Sequence, residues 1–108
     1  MLAFAEASQW VRQNLDEAAA LNLRWNNLDD ADVMKAAMRN GLNDPRMTQR
    51  TVDMYQTKTI PVMRAAGRLP NPIRLDTAID AQFINNAMST GSEFFSDLST
   101  VPEDLFLD

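Results

Sequence analysis

The sequence contains neither cysteine nor histidine. Their absence excludes thiol nucleophiles, disulfides, the usual zinc ligands and the usual general base near neutral pH. Only three glycines are present, and Gly41, Gly67 and Gly91 stand too far apart to form a phosphate-binding loop. We therefore expect no catalytic site, no metal and no cofactor, and the ligand-binding residues stay unknown at this stage.

Long hydrophobic runs are also missing. No apolar stretch approaches the roughly 20 residues that a membrane span needs, so we expect no direct membrane insertion. The first residues carry no positive charge, and Glu6 interrupts their apolar run. This pattern predicts that the chain has no signal peptide.

Charge is distributed unevenly along the chain. Residues 1–74 hold ten bases and eight acids, whereas residues 75–108 hold seven acids and no base. The basic middle and the acidic tail could be two faces that attract each other, but ordinary solvated surface explains both. The net charge of −5 argues against nucleic acid as a partner.

Sustained apolar–polar alternation, the signature of strands, is absent, and apolar residues recur instead at helical spacing. This spacing predicts an all-α chain of about five helices, over residues 2–13, 15–25, 31–40, 49–66 and 77–88. The predicted inner residues of the first, second, third and last helices are Phe4, Ala7, Trp10 and Val11; Ala18, Ala19 and Leu23; Val33, Met34, Ala37 and Met38; and Ile79, Phe83, Ile84 and Ala87. The tryptophans Trp10 and Trp25 are expected to anchor the core.

Short polar residues and glycines mark the predicted helix ends. Asn14 is expected to cap the second helix, and Asp29 or Asp30 the third. Gly41 and Gly67 stand where a left-handed residue often closes a helix. These positions set the helix limits more sharply than periodicity does.

Proline divides the second half of the sequence. Pro61 falls inside the fourth predicted helix, where it removes a backbone hydrogen bond and clashes with the preceding turn. We expect a kink or a break near residues 57–60. Residues 69–72 should be extended, because the residue before each of the two prolines is pushed out of the α region.

The chain divides by composition into a helical region, residues 1–88, and an acidic tail, residues 89–108. The tail is too apolar to be free, so part of it is expected to dock; its apolar residues are Phe94, Phe95, Leu98, Leu105 and Phe106.

Two charged constellations have plain structural explanations. Asp29, Asp30 and Asp32 stand at a helix start, where capping accounts for them better than a cation site does. Residues 31–41 and 48–58 could form a helix-turn-helix with Arg46 and Arg50 near phosphates. The turn is longer than usual in that motif, which disfavours DNA binding.

One order of short motifs resembles a known family. The motifs are Ala-Glu-Ala-Ser-Gln-Trp at 5–10, Asp-Glu-Ala-Ala at 16–19, Asp-Pro-Arg-Met-Thr at 44–48, Ile-Pro at 60–61, Ala-Gly-Arg-Leu-Pro-Asn-Pro-Ile at 66–73 and Leu-Asp-Thr-Ala-Ile-Asp-Ala-Gln-Phe-Ile at 75–84. Their order resembles the C-terminal helical region of periplasmic solute-binding proteins of nitrate-, sulfonate- and taurine-type ABC transporters. The resemblance covers about residues 3–88 but only the last third of a typical family member. It departs at Asn14-Leu15, where the family has Asn-Pro.

This resemblance implies that the chain is the C-terminal helical segment of a binding protein with two α/β lobes. The parent would capture a small anion or sulfonate in the periplasm and deliver it to its ABC permease, while this segment braces one lobe. Partners would then be the missing lobes or a second copy of the chain. The alternative is an independent α-helical protein-interaction module, and no residue pattern supports an enzyme.

Overall fold

The computed structural model describes residues 1–40 and 44–108. These residues form helices and one isolated β-bridge but no β-strand, which confirms the all-α prediction. They group into two units, one made of Met1–Pro45 and Ala87–Leu98, the other of Arg46–Asn86 and Ser99–Asp108. The boundary expected at residue 88 came from composition and stays a prediction.

The first unit contains three α-helices and a 3₁₀ turn. They are α1 (Leu2–Gln13), α2 (Leu15–Asn26), α3 (Ala31–Asn40) and the 3₁₀ turn Ser92–Phe95. Helix α2 packs along α3, and α1 packs on the 3₁₀ turn. The predicted limits of α1 and α3 are confirmed, and α2 runs one residue further than predicted.

Helix ends in this unit follow local side-chain chemistry, with one exception. Asp30 caps α3, because its Oδ1 accepts a hydrogen bond from the N–H of Val33 at 3.0 Å. Asn27 closes α2 in the left-handed region, with φ of 52°. Asn14, in contrast, makes no capping bond to α2; its Nδ2 donates to the carbonyl of Trp10 at 2.9 Å and so closes α1. The stop predicted at Gly41 lies outside the described residues.

The buried face of α1 is not the predicted one. Ala5 is buried and Arg12 is half-buried, whereas Phe4 is 57% exposed and Trp10 is also exposed. Polar contacts explain why a different side of α1 is buried. Nε2 of Gln9 donates to the carbonyl of Glu93 at 2.8 Å. Hydrogen bonds from Gln9 and Arg12 to the 92–97 segment turn the apolar stripe of α1 away from it.

Gly91 is buried where α1 meets the 3₁₀ turn. A Cβ at this position would lie 2.5 Å from Cδ2 of Leu2 and 3.0 Å from Cδ2 of Phe94. We expect Gly91→Ala to lower the free energy of unfolding by about 1 kcal/mol, because the Leu2 side chain and the Phe94 ring must both shift. Urea unfolding should show a smaller loss when Gly91→Ala is made in a Leu2→Ala background, since part of the clash is then gone. Equal losses in both backgrounds would contradict the contact.

The second unit begins with an interrupted helix. Its elements are α4 (Gln49–Met54), the π-helical turn Tyr55–Thr59 and α5 (Ile60–Ala65), followed by α6 (Leu75–Ala78) and the first part of α7 (Gln82–Thr90), whose residues from Ala87 onward belong to the first unit. Gly67 ends α5 with φ of 69°, as predicted, and the N–H of Arg68 reaches back to the carbonyl of Met63 at 2.9 Å. The last predicted helix is split into α6 and α7 beside Asp80.

The π-helical turn is the form that the break predicted near Pro61 takes. The N–H of Ile60 donates to the carbonyl of Tyr55, five residues back, instead of four. The wider turn separates the proline ring from the carbonyl that an α-helix would press against it. The hydroxyl of Thr57 donates to the carbonyl of Asp53 at 2.6 Å, which takes up an acceptor of the same turn.

Replacement of this proline should restore the regular ladder. We expect Pro61→Ala to raise the free energy of unfolding by about 1 kcal/mol, since a backbone donor returns and alanine favours helix. Amide hydrogen exchange over residues 55–61 should slow. Pro70→Ala, in an extended exposed segment, is the control and should not stabilise. A destabilised Pro61→Ala chain would show that the π turn does not depend on the proline.

The C-terminal residues pack within the second unit. Thr48 and Phe106 form the isolated antiparallel bridge. The N–H of Leu107 donates to the carbonyl of Met47 at 3.2 Å, and Nδ2 of Asn85 donates to the carbonyl of Leu107 at 2.7 Å. The last residues thus connect the start of α4 to α7.

Buried residues recur at intervals of three along α7 and just before it: Ala81 precedes the helix, and Ile84 and Ala87 lie within it. Ile84 is 1% exposed, as predicted, but Phe83 is 64% exposed. Phe83 lies about 100° around the helix from Ile84 and is left outside the buried stripe. The prediction that Phe83 faces inward is therefore wrong.

Candidate interaction surface

Large apolar side chains lie exposed along α2. Leu21 and Trp25 are one helical turn apart, and Leu28, which is also exposed, follows the left-handed Asn27 that closes the helix. Trp25 is 88% exposed, so the prediction that it anchors the core is wrong. The inward side of α2 instead carries the small residues Ala18 and Ala19, which are buried.

An open depression of about 460 Å³ lies on this side of α2 and is lined by Leu21, Arg24 and Trp25. An aromatic ring, an aliphatic side chain and a guanidinium thus border one concavity. Tryptophan and arginine are the residue types most enriched at the centres of protein interfaces. The depression is shallow and open, which suits a protruding side chain better than an enclosed small molecule.

The charges on this side of α2 are unpaired within the described part of the chain. Glu17 and Arg24 are both exposed and make no ion pair or hydrogen bond through their side chains there. Asp16, in contrast, pairs with Lys35 of α3 at 3.0 Å. We define the α2 face as Glu17, Leu21, Arg24 and Trp25.

The predicted acidic cluster plays a structural part. Asp30 caps α3, and Asp32 lies 3.9 Å from Lys35 on the same helix. Within residues 1–40 and 44–108, no group of three or more acidic side chains is placed to hold a metal ion. The capping interpretation is therefore the one that the geometry favours.

The strongest ionic contact in the first unit joins α1 to the segment after the 3₁₀ turn. Nε and Nη2 of Arg12 donate to the two carboxylate oxygens of Asp97, each at 2.9 Å, and Nη2 also donates to the carbonyl of Phe94 at 2.9 Å. The guanidinium lowers the pKa of Asp97 from 3.8 to about 2. The Arg12 side chain is only 14% exposed and is directed at this segment by these bonds, so the pair stabilises the fold.

Comparison with known proteins found no match for this chain. No family model matches it, and no curated protein or solved structure is significantly similar to it. The α2 face therefore has to be interpreted from its own geometry. Across the described helices, none combines the length and apolarity needed to cross a membrane.

Sequence reasoning missed the α2 face although a signal was present. Glu17, Leu21 and Arg24 share one side of the helix, about half a turn from the buried Ala19, and Trp25 lies at the border of that side, seven residues after Ala18. A helix whose small residues and large apolar residues occupy different sides can pack closely on one side and dock on the other. The sequence correctly predicted that Ala18 and Ala19 face inward, but it also assigned Trp25 to the core.

Proposed function

We propose that this chain is an α-helical protein-interaction module that docks through the α2 face. The observation that carries the proposal is Trp25, which is 88% exposed beside Leu21 and an open depression. Exposed tryptophan in an apolar patch is typical of docking surfaces and uncommon on surfaces that stay in water.

The energetics favour burial of this face. A tryptophan buries about 200 Å² when covered, which contributes about 5 kcal/mol at 25 cal/mol per Å² before the cost of association. Leu21 and the aliphatic stem of Arg24 add to the apolar area, and the guanidinium supplies a directional contact at its border. Helix α2 is held by α3 on its other side, so the face is presented on a fixed element.

Photo-crosslinking in cells that express the chain tests this function. Trp25 is replaced by photoreactive p-benzoylphenylalanine, which also fills the aromatic position. We expect one discrete covalent adduct that is lost when Leu21→Ser is added. The control carries the same group at Lys58, an exposed residue of the second unit. Absence of any adduct, or a pattern equal to the control, would refute the docking role.

A second candidate is the segment of a periplasmic solute-binding protein that the motifs resemble. It is supported by Phe4 and Phe83, which are exposed as expected if these helices brace lobes outside this chain. Bracing of outside lobes would also leave Ile84 and Phe95 uncovered in the isolated chain, but both are buried, and Phe94 is half-buried. The exposed apolar residues thus support this candidate only in part.

Ligand binding tests the second candidate. A single helical segment cannot close two lobes around a solute, so the isolated chain should bind nitrate, taurine or an alkyl sulfonate no better than weakly. Isothermal titration calorimetry should give no heat at micromolar ligand. Micromolar binding by the isolated chain would contradict the segment interpretation.

A further inference from the structure

We infer that the α2 face binds the α2 face of a second copy of this chain, with the two helices antiparallel about a two-fold axis between Ala20 and Leu21. This inference rests on the proposed docking function and names its partner. A two-fold interface uses the same patch on both copies, so the patch must be complementary to itself.

The charges of the α2 face meet this requirement. Glu17 and Arg24 stand equally far from the midpoint between Ala20 and Leu21, one on each side. They are separated by about 10 Å along the helix, at 1.5 Å per residue. A two-fold rotation about that midpoint brings Glu17 opposite Arg24 of the second copy, and the same pair forms again on the other side. A parallel arrangement would instead place like charges together.

The apolar residues fit the same register. Leu21 comes opposite Ala20 of the second copy, so a large side chain meets a small one at the centre. Trp25 lies beyond Arg24 and extends the apolar contact toward the end of each helix. The depression beside Leu21, Arg24 and Trp25 leaves room for a side chain from the other copy.

The available area suits a weak dimer. Two copies of Trp25 would cover about 400 Å², and a specific interface needs roughly 1,000 Å² in total. The remainder has to come from Leu21, the Arg24 stem and the exposed Leu28, each counted twice. The total lies near the lower limit for specific interfaces, so we expect a reversible dimer with micromolar affinity.

Sedimentation of the full chain over a wide concentration range is the first test. We expect a monomer–dimer equilibrium that Trp25→Ser abolishes. Because Trp25 is exposed, this change removes no core contact. The matched control is Val62→Ser, which removes a residue that is also exposed but lies on α5. Dimerisation of Trp25→Ser that equals the native chain would overturn the inference.

Charge reversal tests the antiparallel register. Glu17→Arg alone and Arg24→Glu alone should each weaken self-association by about tenfold or more, because both ion pairs become repulsive. Mixing the two variants should restore a dimer, since the register then joins opposite charges at both ends. The double variant Glu17→Arg/Arg24→Glu should also restore it. A mixture that stays monomeric would overturn the register.

The partner and the docking function can fail separately. If the native chain stays monomeric at millimolar concentration while crosslinking at position 25 gives an adduct with another protein, self-pairing is refuted and docking stands. If crosslinking gives no adduct, the docking function itself is refuted. An adduct of twice the chain mass, together with restoration in the mixed variants, supports both.

Discussion

Truncation of Ile84 to alanine should lower the free energy of unfolding by about 3 kcal/mol. Ile84 is the largest side chain that is fully buried among the described residues. The buried residues three positions before and after it, Ala81 and Ala87, are too small to fill the space that truncation leaves. Urea denaturation followed by circular dichroism measures the loss, which should also lower the melting temperature by about 15 °C.

The adjacent residue provides the control for this measurement. Phe83→Ala removes a larger side chain from the same helix, yet Phe83 is mostly exposed, so we expect a change within about 0.5 kcal/mol. The ratio of the two effects tests which side of α7 faces inward. Equal losses at both positions would contradict the orientation of this helix.

Removal of the Arg12 guanidinium should cost about 2 kcal/mol at neutral pH. Arg12→Ala breaks the paired bonds to Asp97 and the bond to the carbonyl of Phe94. The side chain of Arg12 is only 14% exposed, so water cannot fully replace these partners. Arg12→Lys keeps the charge but cannot form both bonds to the carboxylate. Its stability should therefore lie between that of the native chain and that of Arg12→Ala. If Arg12→Ala lowered the free energy of unfolding by less than a typical surface substitution does, the pair would contribute nothing to stability.

This pair also predicts a dependence on pH. The pKa of Asp97 is lowered from 3.8 to about 2 in the folded chain, so the carboxylate binds its proton more readily when the chain unfolds. The stabilisation is complete above pH 4 to 5 and is lost as the pH falls from about 4 toward 2. In Asp97→Asn the part of the pH dependence that belongs to this group should vanish. An unchanged acid profile in that variant would contradict the ionic contact.

The helix limits could be predicted because local chemistry sets them. Asp30 begins α3 and Gly67 ends α5 through hydrogen bonds that span three to five residues. The sequence shows such neighbours directly. Pro61 imposed a break for the same local reason. The prediction that Asn14 caps α2 was wrong. Its side-chain amide can donate as well as accept, and it donates to a carbonyl of the preceding helix.

The orientation of the helices could not be predicted in the same way. The inward side of α1 is chosen by Gln9 and Arg12, whose partners are more than 80 residues away in the sequence. Periodicity ranked these polar residues as outward and Phe4 as inward. Bonds between distant segments are invisible to a pattern that reads only neighbours.

The α2 face was missed for a related reason. A stripe of apolar residues at helical spacing is equally consistent with a core and with a docking surface. Trp25 and Leu21 satisfy that spacing, and only their exposure in the folded chain distinguishes the two. The difference depends on which side α3 occupies, and that is a property of the folded unit.

Alanine makes up most of the buried apolar positions among the described residues: Ala5, Ala18, Ala19, Ala81 and Ala87, alongside Ile84 and Phe95. An alanine scan would therefore pass over the places where the backbones approach most closely. Substitutions that enlarge these positions, such as Ala19→Leu, would be poorly tolerated, since close-packed interiors have no room for added methylenes. At these sites the volume of the side chain should decide which substitutions the protein tolerates. Hydrophobicity alone would not predict the tolerated residues.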